Sequence, residues 1–232
     1  MSKSLKKTVL TAAVSTALIA GGLVTTKAHA ELSFNVGVTS NYMFRGLTES
    51  NDDAAVQGGV DFEHDSGFYV GAWTSSLGGA QDGEESLGYE LDIYFGFAGE
   101  ITDTGVGFDV GYNAYIYPQQ SKTTVGEIYG ALDYMGFYGM VSYVTNSQDG
   151  GFLPKKSLAY EAGYEFEAMP DLSLGGTVGY VYNKEDSDAR YTWWSLHATK
   201  SMDFGDITMA YVGNDLDDKK DPKLVISYGL TF

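Results

Sequence analysis

Closely spaced carboxylates are the feature of this sequence best suited to chemistry. Glu90 and Asp92 lie two residues apart, and Glu161, Glu165 and Glu167 keep the same even spacing later in the chain. Side chains two positions apart point to the same face of a β-strand. A strand face lined with carboxylates attracts cations and repels anions, as charged rings do in channels. The spacing therefore predicts a cation-attracting surface, provided that these segments are strands.

The composition narrows the class of protein. The 232 residues include 31 acidic and 14 basic side chains, for a net charge of −17, and 44% of the chain is hydrophobic. This charge argues against nucleic-acid binding, because phosphate contacts need Lys and Arg. The sequence has no Cys, which excludes disulfides and Cys-ligated metals. The hydrophobic content argues against intrinsic disorder.

Residues 1–30 have the features of a cleaved secretory signal peptide. Three lysines (Lys3, Lys6 and Lys7) lead into an apolar stretch at 9–24, and Ala28-His29-Ala30 supplies a small-x-small cleavage site. We expect cleavage after Ala30, so that residues 31–232 form the mature domain. Loss of these lysines and Lys27 leaves 10 of the 14 basic groups against all 31 acidic ones, a net charge of −21. Export without Cys fits the envelope of a Gram-negative bacterium.

Apolar residues recur at every second position through most of the mature chain, as in half-exposed β-strands. In the segment 87–100, alternate residues from Leu87 to Phe97 form an apolar face opposite Gly88, Glu90 and Asp92. Twelve such segments are recognisable: 32–45, 54–64, 68–76, 87–100, 105–117, 125–134, 137–145, 157–167, 172–182, 191–201, 206–213 and 223–232. Some of them alternate weakly, so ten or fourteen strands remain alternatives.

The links between these segments alternate in length. Those after odd-numbered segments are long and polar, such as 46–53 and 146–156, whereas those after even-numbered ones are short, such as 65–67 and 135–136. Bacterial outer-membrane barrels have an even number of strands, short periplasmic turns and longer outer loops. We therefore predict an all-β, transmembrane, antiparallel up-and-down β-barrel with both termini in the periplasm. A soluble β-sandwich is the alternative if the apolar faces meet each other.

Aromatic residues at the strand ends favour the barrel. Nine of them adjoin the long links and are expected to form a girdle at the membrane surface: Tyr42, Phe44, Tyr115, Tyr117, Tyr143, Tyr180, Tyr182, Trp193 and Trp194. The chain ends on Phe232, which resembles the signal that outer-membrane assembly machinery recognises. The expected partners are this machinery through Phe232, membrane lipid, and lipopolysaccharide around the acidic outer loops.

Carboxylates are costly in hydrocarbon, so the acids of the strands are expected to face the inside of the barrel. The candidate pore-lining residues are Arg45, Asp61, Tyr69, Trp73, Glu90, Asp92, Asp109, Glu127, Asp133, Glu161 and Glu165. Arg45 is the one base among them and is placed at the outer mouth. Tyr69 and Trp73 are expected either to form a constriction or to fill the lumen.

Two functions fit this interior. A water-filled lumen makes the barrel a narrow passive channel for small hydrophilic solutes that prefers cations. A filled interior, in which the acids bond to Tyr, Asn and the few bases, makes it a non-conducting structural or adhesive barrel. Twelve strands lie between the filled eight-stranded barrels and the open sixteen-stranded ones.

Five segments of the chain resemble the TorF family of proteobacterial porins. They are Ser40–Gly46, Ala55–Phe62, Gly67–Ser75, Glu90–Gly96 and Tyr115–Pro118. The match is close over the first third of the mature chain and beyond it follows mainly the rhythm of the strands. Glu49 departs from the Gln that relatives usually show. The resemblance implies an outer-membrane barrel and a channel, and it brings no catalytic residues.

Lipid hydrolysis is a less favoured alternative. Ser195 and His197 share a strand face, but twelve-stranded outer-membrane phospholipases carry His before Ser with an Asn partner nearby. His64 falls at a tight turn, where turn chemistry explains it. The acidic run Asp215–Asp218 continues without the Gly and Glu of an EF-hand loop. We therefore expect no enzymatic activity, no cofactor and no metal site.

Overall fold

A computed structural model of the protein describes residues 30–78, 88–119, 123–148, 153–217 and 221–232. Of the predicted signal peptide, residues 1–29 lie outside the described part of the chain. So do five acids of the long links, namely Asp82, Glu84, Glu85, Asp149 and Asp218. Among the described residues, no helix is long and apolar enough to cross a membrane.

Twelve of the described strands close into one antiparallel barrel, in which β1 pairs with both β4 and β14. The strands are β1 (Glu31–Thr39), β2 (Met43–Phe44), β3 (Leu47–Thr48), β4 (Ala55–Glu63), β5 (Phe68–Ser76), β6 (Tyr89–Ile101), β7 (Val106–Tyr117), β8 (Thr123–Tyr134), β9 (Phe137–Ser147), β10 (Leu158–Met169), β11 (Leu172–Tyr182), β12 (Tyr191–Met202), β13 (Gly205–Asn214) and β14 (Lys223–Thr231). The short strands β2 and β3 pair only with each other. The predicted twelve-stranded up-and-down barrel is confirmed.

The first predicted strand is too long. It ends at Thr39, and residues 40–42 separate it from the short strand β2. Beyond β2 the backbone turns through left-handed conformations, which regular strands do not contain. The φ angle is 46° at Arg45, 80° at Gly46, 55° at Asn51 and 65° at Asp52. The chain therefore reverses between β2 and β3 and reverses again before β4.

The shortest turn shows how the links fix the register of the barrel. Met135 and Gly136 connect β8 to β9 and both have positive φ, 52° and 86°. A two-residue hairpin of this kind matches the right-handed twist of its strands. A Cβ at Gly136 would lie 2.4 Å from the carbonyl oxygen of Glu165, so only glycine fits there.

Large apolar side chains cover the outside of the barrel. On β6, Ile93, Phe95 and Phe97 are 45%, 49% and 43% exposed, whereas Asp92, on the opposite face of the same strand, is buried. Other strands repeat this arrangement with Phe34, Val56, Val110, Ile128, Val141, Tyr164, Leu196, Met209 and Ile226. A sandwich would bury these side chains against a second sheet, so the sandwich alternative is wrong. Hydrocarbon is the medium that satisfies such a surface.

The predicted aromatic girdle is only partly correct. Tyr143, Tyr180, Tyr182 and Trp194 lie on the outer face of their strands. The other five residues, Tyr42, Phe44, Tyr115, Tyr117 and Trp193, are buried inside the barrel and form part of its core. Position near a long link indicates where along the barrel axis a side chain lies. Its parity, meaning its odd or even position along the strand, decides whether it points into the barrel or out of it.

Candidate functional site

The segment between β1 and β4 folds into the barrel instead of over its rim. We call residues 40–54 the loop-1 hairpin. Its side chains Tyr42, Phe44 and Arg45 are all at most 5% exposed. Phe44 packs edge-on against Tyr115 of β7, with 5.5 Å between ring centroids. Tyr42 meets Trp73 of β5 in the same way at 5.4 Å, so the hairpin contacts the inner wall on more than one side.

Hydrogen bonds hold the loop-1 hairpin in this position. The backbone N–H of Tyr42 donates to the hydroxyl of Ser50 at 2.9 Å, and Thr48 donates to the side-chain oxygen of Asn41 at 2.7 Å. At the tip, Asn214 of β13 donates its amide to the carbonyl oxygen of Gly46 at 2.7 Å. These contacts satisfy polar groups that would be costly to bury alone.

The tip of the hairpin carries Arg45, which is bound by carboxylates of the opposite wall. Its two Nη atoms donate to the two oxygens of Glu127 at 2.8 and 3.0 Å. Its Nε donates to Glu161 at 3.1 Å, and Nη2 also reaches the hydroxyl of Ser142 at 3.1 Å. The three partners lie on β8, β10 and β9 respectively. A bidentate Arg–carboxylate pair of this kind is the strongest ordinary hydrogen-bonded ion pair.

Around the hairpin, the half of the barrel nearer the long links is filled. Its core consists of Tyr42, Phe44, Ala55, Trp73, Leu77, Tyr115, Tyr117, Val125, Val144, Leu153, Ala159, Val181, Tyr191 and Trp193. Glu90 and Asp92 lie within this half and are each only 1% exposed. Among the described residues, side chains therefore fill this half of the barrel.

The half nearer the short turns is more open. Asp61, Glu63, Tyr69, Asp133 and Glu165 lie on the inner face and are partly exposed. The interior therefore changes along its axis, from a sealed end at the long links to an accessible, acidic end at the short turns.

A layer of tyrosines separates these two halves. The Tyr69 hydroxyl contacts the Tyr129 hydroxyl and donates to Asp109 at 2.7 Å. Tyr94 donates to Asp61 from the neighbouring part of the wall. These bonds join strands that lie two or three places apart in the wall, so they tie together strands that share no backbone hydrogen bonds.

The eleven candidate residues thus fall into four groups. Arg45, Glu127 and Glu161 come together in one buried ion-pair cluster, and Tyr69 and Asp109 belong to the tyrosine layer. Trp73, Glu90 and Asp92 are buried near the long links, while Asp61, Asp133 and Glu165 are partly exposed near the short turns.

Sequence analysis missed two members of the site. Ser142 and Tyr129 contact the key groups, but neither was a candidate. Both follow the inward parity of their strands, and that parity is the signal that could have found them. Ser142 lies in the segment 137–145, which alternates weakly, so its inward direction was harder to recognise.

The residues of the hydrolase alternative are also on the inner face. Ser195 is buried, and the Nε2 of His197 lies 2.9 Å from a carboxylate oxygen of Glu165. The histidine is thus engaged with an acid of a neighbouring part of the wall, away from the lipid-facing surface. Within the described ranges, no group of three or more His, Cys, Asp or Glu side chains could hold a metal ion.

Comparison with known proteins shows a family and solved structures that share this architecture. A family model described as "Bacterial protein of unknown function (Gcw_chp)" matches residues 24–225. The KdgM porin has a TM-score of 0.57 at 7% identity, with 86% of this chain and 98% of that one covered. An outer membrane channel from Pseudomonas putida F1 has a TM-score of 0.56 at 12% identity, with 90% and 97% covered. A search of curated sequences gave no match. At these identities the structural likeness shows the fold alone.

Proposed function

The chain belongs to the Gcw_chp family of bacterial proteins, and we propose that it is an outer-membrane porin closed in this state by its loop-1 hairpin. On this proposal it passes small hydrophilic solutes by passive diffusion when the hairpin moves aside. The TorF resemblance at Ser40–Gly46 supports the same function. No energy source, cofactor or catalytic step is needed.

The observation that carries the proposal is the contrast between the two faces of one closed wall. Outside, the wall is apolar and aromatic, and inside it carries acids that remain partly exposed at the short-turn end. Apolar-out and polar-in alternation is the arrangement of water-containing barrels in a membrane. Solved porins that share the fold give the same function a precedent.

Cation preference is the finer part of the proposal. The accessible inner face carries Asp61, Glu63, Asp133, Glu165 and Asp206. Arg45, the base that lies among the acids, is buried and already shared between two carboxylates. A solute entering from the short-turn end therefore meets a surplus of negative charge, which favours cations over anions.

The proposed cellular partners follow from the surface. Phe232 is 70% exposed at the end of β14, where the assembly machinery of the outer membrane could reach it. Membrane lipid would cover the apolar outer face. Lipopolysaccharide would surround the long links, whose described acids include Asp186 and Asp188.

The filled half of the barrel favours a second candidate, a non-conducting structural barrel. Its core residues fill the interior at the long-link end, as the core residues of a soluble protein do. The two functions differ in one respect, which is whether the loop-1 hairpin can leave its place while the wall stays folded.

Single-channel recording in a planar bilayer under a salt gradient tests the proposal. We expect discrete steps with a reversal potential of the cation-selective sign, and more frequent openings when the hairpin is removed. Silence of both the intact protein and the hairpin-deleted variant, each shown to be folded, would favour the structural barrel instead.

A further inference from the structure

The ion-pair cluster around Arg45 uses all three nitrogen positions of the guanidinium. Glu127 takes the two terminal nitrogens, Glu161 takes Nε, and Ser142 adds a further acceptor to Nη2. Acceptors on all three nitrogens of the fork match the donor pattern of a guanidinium, which a single ammonium nitrogen lacks. The wall is therefore shaped for the chemical group and not only for its charge.

The cluster also carries more negative charge than Arg45 supplies positive charge. Two carboxylates face one guanidinium, and the side chains of Glu127 and Glu161 are only 1% and 9% exposed. Tyr115 donates a further hydrogen bond to Glu127 at 3.2 Å. Leaving two buried carboxylates without a cation is strongly unfavourable. If Arg45 withdraws, another cation is needed to take its place.

The acceptors and the occupant belong to different parts of the fold. Glu127, Ser142 and Glu161 are held by the continuous strands β8, β9 and β10, whereas Arg45 sits at the tip of the loop-1 hairpin. Phe44 places its ring 4.7 Å from the Arg45 Cζ, and it too belongs to the hairpin. Withdrawal of the hairpin would leave the acceptor set intact on the wall.

Inward-pointing carboxylates on β10 extend from the accessible end of the barrel to these acceptors. Glu161 is the more exposed carboxylate of the pair. Glu165, two inward positions further along β10, is 36% exposed. Both point inward, so carboxylates follow one another from the short-turn half toward the cluster. A cationic solute would be attracted along this line.

We propose that Glu127, Glu161 and Ser142 form a binding site for solutes that carry a guanidinium group, and that Arg45 occupies this site as a built-in ligand. The inference rests on the proposed channel function and names a substrate class for it. Because Arg45 is tethered, it competes at an effective concentration on the order of millimolar. A free guanidinium solute therefore competes at comparable concentrations, whereas a simple ammonium, a point charge, cannot engage both oxygens of Glu127 in the same way.

Binding to an Arg45→Ala variant tests the inference directly. The folded barrel in detergent micelles is titrated with guanidinium chloride or methylammonium chloride at constant ionic strength, and binding is followed by calorimetry. We expect guanidinium to bind the variant about tenfold more tightly than methylammonium. The intact protein should bind guanidinium more weakly than the variant, because Arg45 fills the site.

The matched control adds Glu127→Gln to the same variant, which removes the bidentate partner and should abolish the guanidinium preference. Equal binding of the two cations, no binding to folded Arg45→Ala, or retention of the preference with Glu127→Gln would each overturn the inference. If Arg45→Ala does not refold, Arg45→Gln fills more of the space and is titrated in the same way.

Calorimetry in micelles does not depend on conduction, so the two proposals can fail separately. Guanidinium binding by a barrel that never conducts would refute the porin and keep the site. Conduction without selective guanidinium binding would keep the porin and refute the site.

Discussion

Arg45 is bound by two carboxylates in the dry half of the barrel, and its side chain is 2% exposed. Removing either partner of a buried ion pair leaves an uncompensated charge, which costs about 3–5 kcal/mol. We therefore expect Arg45→Ala to lower the free energy of unfolding by roughly this amount. Glu127→Ala should lower it less, because Arg45 keeps Glu161 as a partner. Urea unfolding of the barrel in lipid vesicles measures it.

The double variant provides the decisive comparison for this pair. Arg45→Ala leaves both Glu127 and Glu161 without a cation, whereas the double variant leaves only Glu161. The double variant should therefore lose clearly less stability than the sum of the two single ones. Ser142→Ala serves as the reference for a single neutral acceptor and should cost about 1 kcal/mol. Additive losses would mean that Arg45 and Glu127 do not act as a pair.

The acids of the inner face show what a sequence can and cannot indicate about such a site. Alternation correctly gives Glu90, Asp92 and Glu165 the same direction, toward the inside. It cannot give their depth, and the first two are buried beside the hairpin whereas Glu165 is partly exposed. Depth depends on which loop enters the barrel, and that is a long-range contact without a local signal.

At the scale of strands, aromatic side chains inside the barrel lie over glycines of the adjacent strand. Tyr69 is paired directly with Gly96, and Tyr129 with Gly111. A Cβ at Gly96 would lie 2.3 Å from the Tyr69 hydroxyl and 2.7 Å from the carbonyl oxygen of Val110. The tyrosine layer thus occupies the space that a side chain at these glycines would need.

Gly96→Ala should therefore displace Tyr69 and weaken its bond to Asp109. We expect a loss of about 1–3 kcal/mol in unfolding free energy, as for overpacked sites. Gly130→Ala is the matched control, because its Cβ would meet only a Val110 methyl at 3.8 Å, and it should be nearly neutral. Equal unfolding midpoints for the two variants, in the same urea titration, would contradict this account of the tyrosine layer.

The loop-1 hairpin is the element that the sequence predicted least well. Residues 32–45 alternate as one strand would, but Arg45 and Gly46 adopt left-handed conformations and reverse the chain. Left-handed backbone at an arginine is unusual, and here it is stabilised by contacts more than 80 residues away in sequence, to Glu127 and Glu161. A local pattern cannot report a conformation that distant contacts impose.

Removal of this hairpin should open the barrel. Replacing residues 42–51 by a short Gly-Ser link takes away Tyr42, Phe44 and Arg45 and leaves all twelve barrel strands in place. We expect a several-fold rise in single-channel conductance over the intact protein. Glu185→Gln, which breaks only the exposed pair with Lys156, is the control and should leave conductance unchanged.

At the scale of the whole molecule, acidic charge is concentrated both in the interior and in the long links, and only the interior charge can set selectivity at short range. In the hairpin-deleted barrel, Glu63→Gln with Glu165→Gln should lower the cation-to-anion permeability ratio, because both acids lie on the accessible inner face. Glu185→Gln with Asp188→Asn removes the same charge from an exposed link and should have little effect.

Ionic strength separates these two charge populations in the same recordings. The screening length falls from about 10 Å at 0.1 M salt to about 3 Å at 1 M. Cation preference set by carboxylates on the inner wall should therefore weaken as salt rises, and the difference between the two double variants should shrink with it. Reversal potentials at both salt concentrations measure this. A preference that responds to the link acids, and not to Glu63 and Glu165, would move the selectivity filter from the interior to the outer mouth.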